Sequence, residues 1–286
     1  MTQTGPQRII DKRRLSAFLR RAERRLVTRA GGDFLLSRIA DELAFRLSVT
    51  NRRFERVLIV SPAARWMAPV LERHAARPEV SISAVKDVTS EVLATSRRDF
   101  DLVVSVGHLN LVDDVPGMLI QMRQAMVADG LLVACVPGSM SLQNLREAML
   151  SVEAEISGGA SPRFMPLFDI RAAGGLLQRA GFALPVCDSD EVDVRYGDVW
   201  SLVGDIRTLG ASNVLVAAQG RPLSKAFVSA LDARLKAQSA VTGSRFEVVY
   251  DCLWMSGWAP HESQPKPLEP GSATVPLTQV LGDKSE

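Results

Sequence analysis

Glycine is absent from the stretch of this chain where an α/β ligand-binding fold most needs it. Residues 57–66 read VLIVSPAARW: four apolar residues suited to a buried strand, then Ser61, Pro62, Ala63, Ala64 and Arg65 ahead of a helical pattern. Such a turn lets bare backbone approach a ligand only when it carries little side chain. Cysteine is scarce too. Cys135, Cys187 and Cys252 stand far apart, each in an apolar run, which excludes a disulfide framework or a zinc-ligand spacing and fits reduced, buried thiols. No apolar stretch approaches the roughly 18 residues of a membrane-spanning helix. With 34 basic and 32 acidic residues the net charge is +2, and overall charge gives no reason to expect nucleic acid.

What the chain does have is local charge. Residues 8–29, RIIDKRRLSAFLRRAERRLVTR, hold nine Arg or Lys against Asp11 and Glu23. Leu15, Phe18, Leu19, Ala22 and Leu26 recur at helical spacing, so the segment reads as a basic amphipathic helix. It carries acids and little serine, unlike a transit peptide. It suits a solvated helix over the main domain, or contact with an acidic protein or a membrane surface.

A second helical pattern (33–47) follows Gly31–Gly32. Strands at 57–60, 80–85, 101–106 and 131–136 then alternate with helices at about 68–76, 115–127, 142–156 and 170–182. Ala128–Gly130 reads as a turn, and Ser141 as the N-cap of the third of these helices. Alternating runs at 191–196 and 246–258 suit an antiparallel edge. The pattern predicts an α/β fold with a mostly parallel sheet covered on both faces. The expected organisation is a basic helical segment (1–50), a core (51–260) with a helical lid at about 141–182, and an extended tail (261–286).

DFDLVVSV, followed by DDVPGMLIQMRQAMVADGLLVACV, resembles the middle of class I S-adenosylmethionine-dependent methyltransferases. Gly138–Met149, Ser157–Tyr196 and GWAPHESQPKPLEPGSA (257–273) are similar to one branch. That branch holds the respiratory complex I assembly factor that acts as a protein-arginine hydroxylase; the malonyl-carrier-protein methyltransferase of biotin synthesis is a more distant cousin. The resemblance spans essentially the whole chain. It implies a Rossmann-like, seven-stranded sheet, S-adenosylmethionine as cofactor without a metal, and a protein partner among NADH dehydrogenase subunits or assembly factors. It also implies a bacterial cytoplasmic location, with peripheral membrane contact compatible with the basic helix.

Against that pattern the donor site looks degenerate. The family's acid–glycine opening is replaced by Val60 and Ser61, Pro62 has no N–H to give, Ala63 adds a β-carbon, and Arg65 could project into the vacated space. Pro69 suits only a first helical turn, which places the helix start near Ala68. Val57 to Asp101 spans about forty residues with one intervening strand-like run, VSISAV, so one βα unit is expected to be missing. If that run is the third strand, Asp87 and Val88 form the adenine-side loop; if it is the second, Asp87 is the nearest ribose acid. Losing two hydrogen bonds to charged groups, each about 1.5–3 kcal/mol, weakens binding on the order of 10²- to 10⁴-fold.

The branch's His–Trp pair after the fourth strand is replaced by Asn110 and Leu111, with His108 two residues earlier. His108, Asn110 and Arg146, the last matching a family arginine, are the catalytic candidates. Asp113 and Asp114 read as a helix cap. Ser161, Pro162, Arg163, His261, Glu262 and Gln264 either pack the lid or form a protein-binding surface. The expectation is a pseudoenzyme acting by protein–protein contact in complex I assembly or a related role. The alternatives are a working methyltransferase or protein-arginine hydroxylase with an atypical pocket, and an oligomer subunit supporting a catalytic paralogue. A partner role makes Arg13, Arg14, Arg24 and Arg25 matter; an enzyme makes Asp87 matter.

Overall fold

A computed structural model describes residues 7–28, 33–74, 81–84, 87–218, 223–239 and 244–265. The Gly31–Gly32 pair and most of the tail lie outside the described residues. Strands β1 (Arg56–Ile59), β2 (Ser81–Ala84), β3 (Phe100–Val106) and β4 (Met126–Pro137) run parallel. With β5 (Ala183–Tyr196) and β6 (Phe246–Trp258) they form one sheet ordered β2-β1-β3-β4-β6-β5, with β6 antiparallel to both its neighbours. This is the expected Rossmann-like sheet with an antiparallel edge, six strands rather than seven among the described residues.

Helices α1 (Lys12–Thr28), α2 (Phe34–Val49), α3 (Ala64–His74), α4 (Val115–Gln124), α5 (Gln143–Ser157), α6 (Ile170–Arg179), α7 (Val199–Thr208) and α8 (Lys225–Gln238) surround it. Val57 and Ile59 belong to a core shared with residues of α2, α3, α5, α7 and α8, whereas Leu58 belongs to the core that includes α4 and α6. Both faces of the strand are apolar because both are covered. A third, smaller core joins Ile10 and Leu15 to Leu111 and Val214, fixing the amino-terminal arm to the main body.

Within the run VSISAV, Ser81–Ala84 pair directly with β1, Ala84 opposite Ile59. Consecutive strands tend to be neighbours, so this placement favours the second-strand reading, with Asp87 on the loop just beyond. From β1 the chain passes to β2 on one side and then to β3 on the other. In open α/β sheets, ligands bind outside the carboxyl ends of the strands at such a reversal.

Three local expectations are corrected. Helix α3 starts at Ala64, not near Ala68, so Pro69 lies in its second turn and removes one helical hydrogen bond there. Ala128–Gly130 belongs to β4, which begins at Met126 with an irregular register against Phe100; Asp129 takes a positive φ of 59°. Ser141 does not cap α5: its hydroxyl donates to the Asp251 carbonyl, and Leu142, in the left-handed region, precedes the helix instead. Helices α7 and α8 follow side-chain caps, Asp198 and Ser224, which the strand-centred reading of residues 191–258 passed over.

Candidate functional site

Ala84, Ile59 and Val104 lie in one register across β2, β1 and β3. The loops that follow, at 61–63, 87–91 and 107–111, therefore leave from one edge of the sheet, at the strand-order reversal. The first is closed on itself. Buried Ser61 donates through Oγ to the Val106 carbonyl at 2.6 Å and accepts from the Ala63 N–H at 3.0 Å. It thus ties the ends of β1 and β3 together. Trp66 N–H donates to the Ala63 carbonyl at 3.0 Å, starting α3. Arg65 does not enter the turn's interior: it is exposed, and its guanidinium stacks 3.8 Å from the Trp66 ring centre.

Asp87, exposed on the second loop, accepts from both the N–H and the hydroxyl of Thr89, at 2.9 and 2.7 Å. These bonds, with a smaller contribution from the Lys12 charge, hold its carboxyl below the usual aspartate range. Val88, beside it, is half-buried. At the end of the third strand Gly107 takes φ +62°, where a β-carbon is strained, and its N–H donates to the Cys135 carbonyl.

The amino-terminal arm crosses this edge. Asp113 Oδ1 accepts from the N–H groups of Ile9 (2.9 Å) and Ile10 (3.0 Å). Lys12 donates to the Leu111 carbonyl at 3.0 Å and pairs with Glu91, which also accepts from the Asp113 and Asp114 N–H groups. Burial pushes the Glu91 carboxyl up, but Lys12 and the two N–H groups outweigh it and hold it below its ordinary value. Asp114 caps α4 through the Gly117 N–H. The two aspartates thus split their work: one caps a helix and the other fastens the arm.

His108, within reach of the Lys12 charge, is 1% exposed, and its ring nitrogens make no well-formed hydrogen bond, the Val88 backbone giving only a minor contact. Burial first, then the Lys12 charge, pushes its pKa down to about 4, so the ring is neutral at pH 7. Asn110 Oδ1 and Ser105 Oγ, on the same strand end, are also buried without partners. Sequence reasoning found His108 and Asn110 from their spacing. It missed Ser105, which reads as one more strand residue, and Glu91 and Lys12, whose meeting depends on the arm folding back.

Arg146 lies apart from this cluster along the chain, its Nη2 donating to the Ser139 carbonyl at 2.6 Å at the start of α5. Arg163 pairs with buried Glu153 at 2.5 Å, and the Ser161 N–H donates to the same carboxylate. His261 bonds Ser263, and Gln264 donates to Asp129 and the Ala259 carbonyl. These residues fasten loops to the core. Arg14 does the same, donating to the carbonyls of Asn213, Leu215 and Ala218. Among the described residues no cluster of His, Cys, Asp or Glu could hold a metal ion.

The protein named arginine-hydroxylase NDUFAF5, mitochondrial, of Danio rerio is 27% identical over 87% of this chain and 82% of its own length. The Homo sapiens protein of that name is 28% identical over 87% of this chain and 76% of its own. The resemblance is to the arginine-hydroxylase branch of methyltransferase-like proteins. A malonyl-[acyl-carrier protein] O-methyltransferase of Xylella fastidiosa is a shorter match, 28% identical over 58% of this chain and 55% of that one. The chain spans 46% of the longer Dictyostelium discoideum arginine-hydroxylase NDUFAF5. Among solved structures, the YcgJ protein of Bacillus subtilis overlays with a TM-score of 0.49 at 10% identity, over 77% of this chain and 98% of that one. No family model matches the sequence.

Proposed function

We propose that this protein works by protein–protein contact, in respiratory complex I assembly or a related task, on a methyltransferase fold whose donor site no longer takes S-adenosylmethionine in the usual way. The observation that carries this reading is Ser61. Its hydroxyl spends its donor on Val106 and an acceptor on Ala63 inside the turn, while Pro62 offers no N–H and Ala63 adds a β-carbon. Asp87, the remaining site acid, is engaged with Thr89. The residues present do not fit the cofactor in its ordinary seat.

A second reading has support of its own. Buried polar atoms without protein partners usually meet water or a ligand, and Ser105, His108 and Asn110 gather such atoms at one strand end. They favour a reshaped pocket in a working methyltransferase or protein-arginine hydroxylase. Titration calorimetry of the full chain with S-adenosylmethionine and S-adenosylhomocysteine separates the two. Absence of heat up to millimolar ligand is expected; micromolar binding overturns the proposal and moves the search to acceptors. Complementation by Asp87→Ala is expected to match the wild type, and its failure would count for the enzyme.

A further inference from the structure

The outward face of α1 is an arginine stripe with Glu23 as the helix's single acid, and we infer that it seats the protein on an anionic phospholipid bilayer. Leu15 and Ala22, seven residues apart, are buried. The contacts run antiparallel to α7: Asp11 N–H donates to the Val214 carbonyl, while Leu19 and Ala22 lie against Gly210 at the end of α7. On the opposite side, Arg13, Arg20 and Arg24, spaced by seven and four, share one exposed stripe flanked by exposed Arg21 and Arg25. Arg13, Arg20, Arg24 and Arg25 make no ion pair among the described residues. Val27, three residues beyond Arg24, is 70% exposed at the end of the stripe. From Arg13 to Val27 the stripe is about 21 Å long at 1.5 Å per residue, tangent to the body.

Charge separation argues for a plane. Residues 8–29 carry nine basic and two acidic side chains, a net +7; the whole chain carries +2, so the rest carries −5. Near an anionic plane the arm is attracted and the remainder repelled, which fixes one orientation with α1 against the surface. Val27 then reaches the headgroup boundary. No described helix is long and apolar enough to cross the bilayer, so the contact is peripheral.

The test is co-sedimentation of the full chain with vesicles of phosphatidylcholine and phosphatidylglycerol, against phosphatidylcholine alone, over a range of salt. Binding to the anionic vesicles only, weakening as salt rises, is expected. Each arginine near such a surface contributes about 1 kcal/mol, so Arg13→Gln/Arg20→Gln/Arg24→Gln lowers partitioning about 100-fold at 1.4 kcal/mol per decade. All three side chains are exposed, and circular dichroism checks that the fold survives. Arg171→Gln/Arg179→Gln, on exposed positions of α6, is the control and leaves binding unchanged. Three results overturn the inference: no binding at low salt, a triple variant that binds like the wild type, or retention of poly-glutamate by this face while vesicles are ignored, which would assign the surface to an acidic protein.

Discussion

At the scale of single residues, two buried polar groups at the same sheet edge have opposite fates. Ser61 is satisfied and His108 is not. Ser61→Ala removes two hydrogen bonds and leaves the Val106 carbonyl without that partner in the core, a cost of about 1–3 kcal/mol that urea unfolding would show as a lower midpoint at constant slope. For His108 the folded pKa, about 4, lies below the ordinary 6.5. The unfolded chain therefore binds the proton first as pH falls. The stability that neutral His108 permits is fully present above pH 6.5 and is lost on acidification down to about pH 4, up to about 3 kcal/mol. His108→Leu, which keeps the bulk without the proton, is expected to flatten that acid limb in unfolding experiments at stepped pH. An unchanged limb would mean the ring is not buried neutral.

Among the elements, the arm is held by a few identifiable pins. Asp113 takes two N–H groups and Glu91 takes Lys12, while Ile10 and Leu15 supply the apolar contact. Asp113→Ala is expected to speed hydrogen exchange at Ile9 and Ile10 at least tenfold, each lost bond being worth about 1 kcal/mol or more, while β3 and β4 exchange as before. Equal speeding everywhere would show that Asp113 supports the whole fold and not the arm. At the far edge, β5 is a long outer strand: half-buried Asp188 and Asp190 pair with Arg46 and Arg38 of α2, while Glu191 and Asp193 are exposed. Charge on an edge discourages pairing with a second chain.

For the molecule as a whole, the question is whether the methyl donor stabilises the fold. A ligand that binds the native state alone adds RT ln(1 + [L]/Kd), about 4 kcal/mol at a thousandfold excess over Kd but about 0.4 when the two are equal. A thermal melt with millimolar S-adenosylmethionine is therefore expected to move by no more than a degree or so; a shift of several degrees would restore the enzyme reading. The sheet was largely legible in the sequence. Short apolar runs alternating with helical patterns can bury both faces of a strand only in a covered, mostly parallel sheet, and the late alternating runs required an antiparallel edge. Among the described residues β2 is the one strand between β1 and β3, in keeping with the short spacing from Val57 to Asp101.

Local boundaries were less legible. Pro69 argued for a late helix start, yet α3 begins at Ala64 because packing of Met67, Val70 and Leu71 into the core outweighs one lost hydrogen bond. Ser141 has the chemistry of a cap and serves Asp251 instead. The sequence by itself determined the sheet, the glycine-less turn and the basic stripe of α1, since each follows from residue type and spacing along a continuous segment. Only the tertiary structure decided that Ser81–Ala84 lie beside β1, that Ser61 closes its turn onto Val106, that Arg14 is an anchor and not a free cation, and that Lys12 meets Glu91 near His108. Those are pairings between residues distant in the chain, some of them about a hundred positions apart, and nothing in local pattern specifies which partner a side chain finds when the chain folds back.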